Sequence, residues 1–323
     1  MFCPNCGNNL PENSKFCTAC GASLGGSPSM PPVTRPIGIT VKNLTDNPNI
    51  VEINEMGCFK VLEHQKDIST NPAAAATAYF MSKMNLRKRQ VYCTLNGNAV
   101  KLQAGAMQWT AGNVSMTSGV KGVKDFLGKA IKGAVTNESA AKPIFSGNGY
   151  LMLEPTYKYI ILENVEDWGS GMVLDDGLFL ACDYSVQEEV VSRSNFSSAL
   201  LGGEGLFNLS LSGQGVAVLE SAVPREELIE IVLDNDEVRI DGNMAIAWSK
   251  SLQFTVERSS KSLVGSLVSG EGLVNIYRGT GRILMAPTTF GTTMKQNNSP
   301  KEPAKTSSAG SFVGSMVGSL LDL

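Results

Sequence analysis

From about Ile50 onward, apolar and β-branched residues come in short runs broken by glycine, asparagine and aspartate, the rhythm of short strands. Asn96-Gly97 and Asp241-Gly242 carry the chemistry of two-residue hairpin turns. Two passages break this rhythm. Asn71-Pro72 supplies an N-cap and first-turn pair for an Ala-rich helix to about Asn85, and Arg87-Lys88-Arg89 follows where a helix dipole favours cations. Between Val120 and Val135, Val123, Phe126, Leu127, Ala130 and Ile131 share a helical face, while Lys121, Lys124, Lys129 and Lys132 lie largely elsewhere. Short strands at this spacing suit a sandwich, barrel or prism with one or two inserted helices.

Within the strand-rich region one phrase returns three times: Phe145-Ser-Gly147-Asn-Gly149, Leu211-Ser-Gly213-Gln-Gly215 and Tyr277-Arg-Gly279-Thr-Gly281, each 66 residues from the next. A period of this kind marks a repeated supersecondary unit, so three β units are expected. Each phrase runs into an apolar segment, and paired glycines at the entry to a strand mark a corner or a close backbone approach. A dinucleotide fingerprint would need a third glycine opening a helix, which none of the three has. Gly122 to Lys129 fails as a phosphate loop for a similar reason, because Ala130 stands where a hydroxyl must hold magnesium. Upstream, the second and third units carry Gly203-Glu204-Gly205 and Gly270-Glu271-Gly272, whose carboxylates either tie down a loop or line a shared interface.

Cys3-Pro-Asn-Cys6-Gly7 and Cys17-Thr-Ala-Cys20-Gly21 form a C-x2-C-x10-C-x2-C pattern. Four thiolates so spaced suit a closed tetrahedral zinc site that folds a segment too small to hold its own core, and Zn2+ is the one cofactor expected. Disulfides or a redox pair could use the same spacing, but the doubled motif and an opening without a secretory apolar stretch point to metal. The expected organisation is a zinc ribbon over residues 1–24, a Gly/Ser/Pro-rich linker over 25–49, the triplicated β domain over 50–287, and a low-complexity linker with an amphipathic tail over 288–323. In that tail Phe312, Val313, Met316, Val317, Leu320 and Leu321 fall at helical spacing, and Ser311–Val317 echoes Ser262–Val268, so it reads as an interface segment.

The net charge of −3 conceals an asymmetry. Residues 60–142 hold 12 Lys and Arg against 4 Asp and Glu, so the remainder of the chain is acidic. Arg87, Lys88, Arg89, Lys121, Lys124, Lys129 and Lys132 are therefore the candidates for contact with an anionic surface. The single histidine, His64, leaves little room for histidine-based catalysis, lies in a polar stretch, and reads as a surface residue. Cys58, Cys93 and Cys182 stand singly in apolar runs, as small buried hydrophobes do. No catalytic constellation emerges, and the chain is not expected to be an enzyme.

Gly105-Ala-Met, Gly203-Glu-Gly-Leu-Phe207, Leu211-Ser-Gly-Gln-Gly215, Gly270-Glu-Gly-Leu273 and Gly279-Thr-Gly-Arg-Ile-Leu-Met-Ala-Pro287 together resemble the bacterial branch of the family named for altered inheritance of mitochondria, type 24. The resemblance spans about residues 50 to 287 and implies a fold like the trp RNA-binding attenuation protein, a mainly β, short double-stranded β-helix, triplicated and assembled as a trimer. It implies no reaction, and its mitochondrial members suggest scaffolding. The N-terminal segment resembles the short zinc ribbons of many bacterial and archaeal proteins.

The functional expectation is a non-enzymatic homo-oligomeric scaffold or adaptor, cytoplasmic and in contact with an anionic membrane surface. Its ribbon and tail would meet an unidentified protein partner. The alternative is a nucleic-acid-binding or small-ligand-binding β assembly. Nucleic acid is disfavoured because Lys15 is the only basic residue of the ribbon.

Overall fold

The computed structural model describes residues 38–118, 142–192, 207–241, 244–258 and 273–288, together with residues 9 and 11. The described chain is mainly β. Its strands are β1 (Ile50–Met56), β2 (Phe59–His64), β3 (Arg89–Leu102), β4 (Met107–Thr117), β5 (Ile144–Leu153), β6 (Tyr159–Asn164), β7 (Met172–Leu174) and β8 (Phe179–Asp183). They continue as β9 (Gln187–Ser192), β10 (Phe207–Ser212), β11 (Val216–Ser221), β12 (Ile229–Asp241), β13 (Ala245–Ser249), β14 (Gln253–Arg258) and β15 (Leu273–Met285). A single α-helix is described, α1 (Ala75–Lys83). Its entry is local chemistry: Asn71 accepts the Ala74 N–H at 2.9 Å through its side chain, and Pro72 begins the short 3-10 turn that leads into the helix.

The strands form two sheets. One runs β1-β2-β3-β8-β11-β6, with β5 also pairing β3 and β4 pairing β5. The other runs β12-β15-β13-β7-β10-β9, with β14 also pairing β15. A common order is visible within this arrangement. β5 is flanked by β3 and β4, β11 by β6 and β8, β10 by β7 and β9, and β15 by β12 on one edge and by β13 and β14 on the other. All of these pairings are antiparallel, which lets one face of each sheet stay apolar while the other meets water.

Alternation of apolar side chains puts Phe59, Val61, Val91, Cys93, Leu95, Val100, Phe145 and Leu151 into one core cluster. Met172, Leu174, Leu209, Leu211, Ala217 and Leu219 belong to a second. Val173, Trp248, Tyr277 and Ile283 belong to a third, where the rings of Trp248, Phe254 and Tyr277 stack or meet edge to face.

The glycine phrases behave as the sequence suggests only in part. Between β10 and β11 the phrase Gly213–Gly215 is a true corner, where the chain leaves one sheet for the other. Gly147–Gly149 and Gly279–Gly281 instead lie inside unbroken strands, each opposite a register shift in its partner, at Asn96/Ala99 and Leu233/Asp236. Asn96-Gly97 is thus a bulge within β3 and not the expected hairpin turn, with Gly97 taking a φ of 80° that a bulge tolerates in glycine.

Candidate functional site

Where β2 meets β3, antiparallel register sets Glu63 directly opposite Arg89. Arg89 is 2% exposed and its Nη2 lies 2.7 Å from Glu63 Oε2. The same guanidinium donates to the carbonyls of Arg87 and Asn85 and to Asn85 Oδ1, and its carbon sits 4.3 Å from the centre of the Tyr159 ring. Arg87 Nη1 binds Glu63 Oε1 and Gln65 Oε1, both at 2.8 Å. Beside this knot, Lys88 Nζ is 2.8 Å from Asp67 Oδ1, and the Tyr157 hydroxyl donates to the other Asp67 oxygen. The Lys88 bond, with help from Tyr157, holds the Asp67 carboxyl below the ordinary carboxylate range. Reciprocally, the Asp67 bond pushes the Tyr157 phenol up to about 12.

Arg87, Lys88 and Arg89 therefore do not form a free cationic patch. Spacing alone groups them, whereas strand register delivers Glu63, and the turn after β2 delivers Asp67, to neutralise them. A related knot joins the end of β6, the turns that follow β6 and β11, and β15. Glu163 accepts from Trp168 Nε1 at 3.2 Å and from Arg225 Nε at 3.0 Å, and the Arg282 guanidinium lies 4.2 Å over the Trp168 ring. Both knots are internal ties that fix strand ends.

Cys93 and Cys182 are buried and Cys58 is half-buried, with its sulfur 3.8 Å from Asp183 Oδ1. Burial raises all three thiols, Cys58 to about 12, so they stay protonated and inert at neutral pH. His64 is half-buried and shares a 3.0 Å hydrogen bond with Gln90 Oε1. Among the described residues no group of His, Cys, Asp and Glu could hold a metal ion.

Among the described residues β4 is a strand with no buried position. Its eleven residues, Met-Gln-Trp-Thr-Ala-Gly-Asn-Val-Ser-Met-Thr, include no charge and no proline, and β5 is its only strand partner among the described residues. Met107 and Met116 are 40% and 60% exposed. Natural edge strands are usually blunted by charge or proline, and this one is not. Helix α1 is a second exposed element: none of its residues is buried, and Tyr79 and Phe80 present their rings to solvent 5.5 Å apart.

Two sets of contacts to the backbone lie 66 positions apart. Ser185 Oγ donates to the Gln214 carbonyl at 2.8 Å, and Ser251 Oγ donates to the Thr280 carbonyl at 2.8 Å. Asp183 accepts from the Val216 N–H at 2.9 Å, and Ser249 accepts from the Arg282 N–H at 3.0 Å. All four residues of one set sit 66 positions from those of the other. A Cβ on Gly215 or Gly281 would lie within 3.1 Å of these same side chains, so glycine is required for the approach.

The remaining candidates lie outside the described residues: Cys3, Cys6, Cys17 and Cys20; Lys121, Lys124, Lys129 and Lys132; Glu204 and Glu271; and Phe312, Val313, Met316, Val317, Leu320 and Leu321. Two features escaped sequence reasoning. The Glu63–Arg89 pair was signalled only by opposite charges in consecutive strand-like runs, and the edge strand β4 only by eleven residues without a charge.

Comparison with known proteins agrees with the motifs. Residues 2–24 match a zinc-ribbon domain. An uncharacterised protein of Streptococcus pyogenes serotype M6 is 32% identical over 197 residues, which cover 58% of this chain and 76% of the relative. A crystal structure of a Streptococcus pyogenes protein is similar at 28% identity and a TM-score of 0.46, covering 64% of this chain and 90% of that one. Residues 83–288 match the family described as Mitochondrial biogenesis AIM24, and the chain, with a zinc-ribbon domain at its N-terminus, belongs to that family.

Proposed function

We propose that this protein is a non-enzymatic, self-associating scaffold or adaptor, assembled through its strand edges as a homo-oligomer such as a trimer. The observation that carries this reading is β4, an eleven-residue edge without charge or proline. Among the described residues its outer edge pairs with no further strand, and an edge of that kind is a template for another strand. The ribbon would supply contact with a partner protein, with Cys3, Cys6, Cys17 and Cys20 holding one structural zinc through four thiolates. Sedimentation velocity of zinc-loaded, full-length protein over a wide concentration range tests the reading: a multi-chain species is expected, and a single-chain species throughout would refute it.

Contact with an anionic membrane surface is a second reading, favoured by α1. Tyr79, Phe80 and Met84 are 59%, 67% and 74% exposed, and Lys83 stands beside Tyr79. Aromatic and apolar groups next to lysine suit the headgroup boundary of a bilayer. Co-flotation with anionic vesicles, weakened by Tyr79→Ser with Phe80→Ser and by high salt, is the expected result. Flotation unaffected by those changes, or none at all, would remove α1 from the account. Among the described residues no helix is long and apolar enough to cross a membrane.

A further inference from the structure

Neighbouring units join by one rule, used twice. In the first junction β3 pairs β8, with Val100 opposite Asp183, Lys101 opposite Cys182 and Leu102 opposite Ala181. In the second β7 pairs β13, with Met172 opposite Ser249, Val173 opposite Trp248 and Leu174 opposite Ala247.

The residues that meet are equivalent by position. Val100 and Met172 lie opposite Phe145 and Leu211, the residues that open the first two glycine phrases. Val238 of β12 occupies that place opposite Tyr277, which opens the third phrase. On the other side of each junction, Ala181 and Ala247 lie opposite Val218 and Leu284, five residues beyond the first glycine of their phrases. Trp109 of β4 holds that place opposite Met152.

The first strand of one unit thus pairs with the second strand of the next. Two strands are left over: β12 has no such partner for Val238–Ile240, and β4 has none for Trp109–Ala111, among the described residues. Each is the complement of the other under the rule that makes both internal junctions.

We infer that β12 of one copy pairs antiparallel with β4 of a second copy, with Val238 opposite Ala111, Arg239 opposite Thr110 and Ile240 opposite Trp109. The inference rests on the scaffold reading above and names its interface. Because the two surfaces differ, the contact is head to tail, and it closes into a ring, a trimer included, or extends into a filament according to its rotation.

Cysteine pairing reads the register directly. Thr110→Cys and Arg239→Cys are placed in separate chains, mixed and oxidised mildly. Directly opposed residues have Cβ atoms about 4.5–5.5 Å apart, near disulfide reach. A disulfide joining the two different chains through these positions is expected, identified as a linked peptide by mass spectrometry. The Ala111→Cys and Val238→Cys pair reads the same register a second time. Ser115→Cys mixed with Arg239→Cys, displaced by about 17 Å along the strand, should not link. Assembled protein with no link in either matched pair, or with the displaced pair linked instead, overturns this interface and leaves self-association standing. A link formed only within a chain carrying both substitutions shows that the ring closes in one molecule and overturns it too. Protein that sediments as a single chain at every concentration removes both the interface and the scaffold reading.

Discussion

Glu63 and Arg89 face each other across β2 and β3 at 2.7 Å, the first 5% and the second 2% exposed. Removing one partner strands the other charge in a place water hardly reaches. Glu63→Gln should therefore lower stability by about 3–5 kcal/mol, the usual cost of breaking a buried pair. A lowered urea midpoint with an unchanged slope would show it. Replacing both, as Glu63→Leu with Arg89→Met, should cost less than the single change.

The Lys88–Asp67–Tyr157 chain makes stability depend on pH at both ends. The Asp67 carboxyl titrates below its ordinary value in the folded protein, so its contribution is complete above the usual carboxylate range and is lost as pH falls through the folded value. The Tyr157 phenol is raised to about 12, so its contribution is complete below its unfolded value of about 10 and is lost as pH rises through about 12. Asp67→Asn should flatten the acid limb of the stability profile, and Tyr157→Phe should flatten the alkaline limb. Denaturant midpoints measured across pH provide the check.

Glycine at the phrases is a steric requirement. A Cβ at Gly215 would lie 2.9 Å from Asp183 Cβ with φ at 132°, and one at Gly281 would lie 2.7 Å from Ser249 Cβ. Gly215→Ala and Gly281→Ala should each cost about 1–3 kcal/mol. Gly38→Ala, where a Cβ meets nothing within 4 Å, should be nearly neutral. Thermal midpoints of the three variants side by side would rank them.

Zinc should belong to the ribbon alone. Elemental analysis of full-length protein should find one zinc per chain, with loss of that zinc in Cys17→Ser. Unfolding of the β domain should be unchanged, since its own thiols Cys58, Cys93 and Cys182 are held protonated by burial. Zinc retained by Cys17→Ser would contradict the four-cysteine assignment.

What could be read from the chain follows the range of the interactions involved. The Asn71 cap, the helix it starts and the inert thiols are set by neighbours or by local apolarity, and they were legible. Asn96-Gly97 misled because a bulge and a hairpin turn ask the same backbone freedom of glycine, and only the partner strand β5 distinguishes them. Arg89 looked like surface because its neutralising carboxylate lies 26 positions away on β2. The edge of β4 was hidden for a related reason: exposure follows from which strands pair, and alternation along one strand does not record it.

The most direct test of self-association through an open edge is the native mass of the full-length chain beside that of Thr110→Lys with Asn113→Lys. Both positions are exposed on β4, and lysine is the charge that natural edges use to prevent pairing. Light scattering should find a multi-chain species for the unsubstituted protein and a shift toward the single-chain mass of about 34.4 kDa for the variant. A multi-chain mass that the two lysines leave unchanged, or a single-chain mass for both, would contradict assembly through β4.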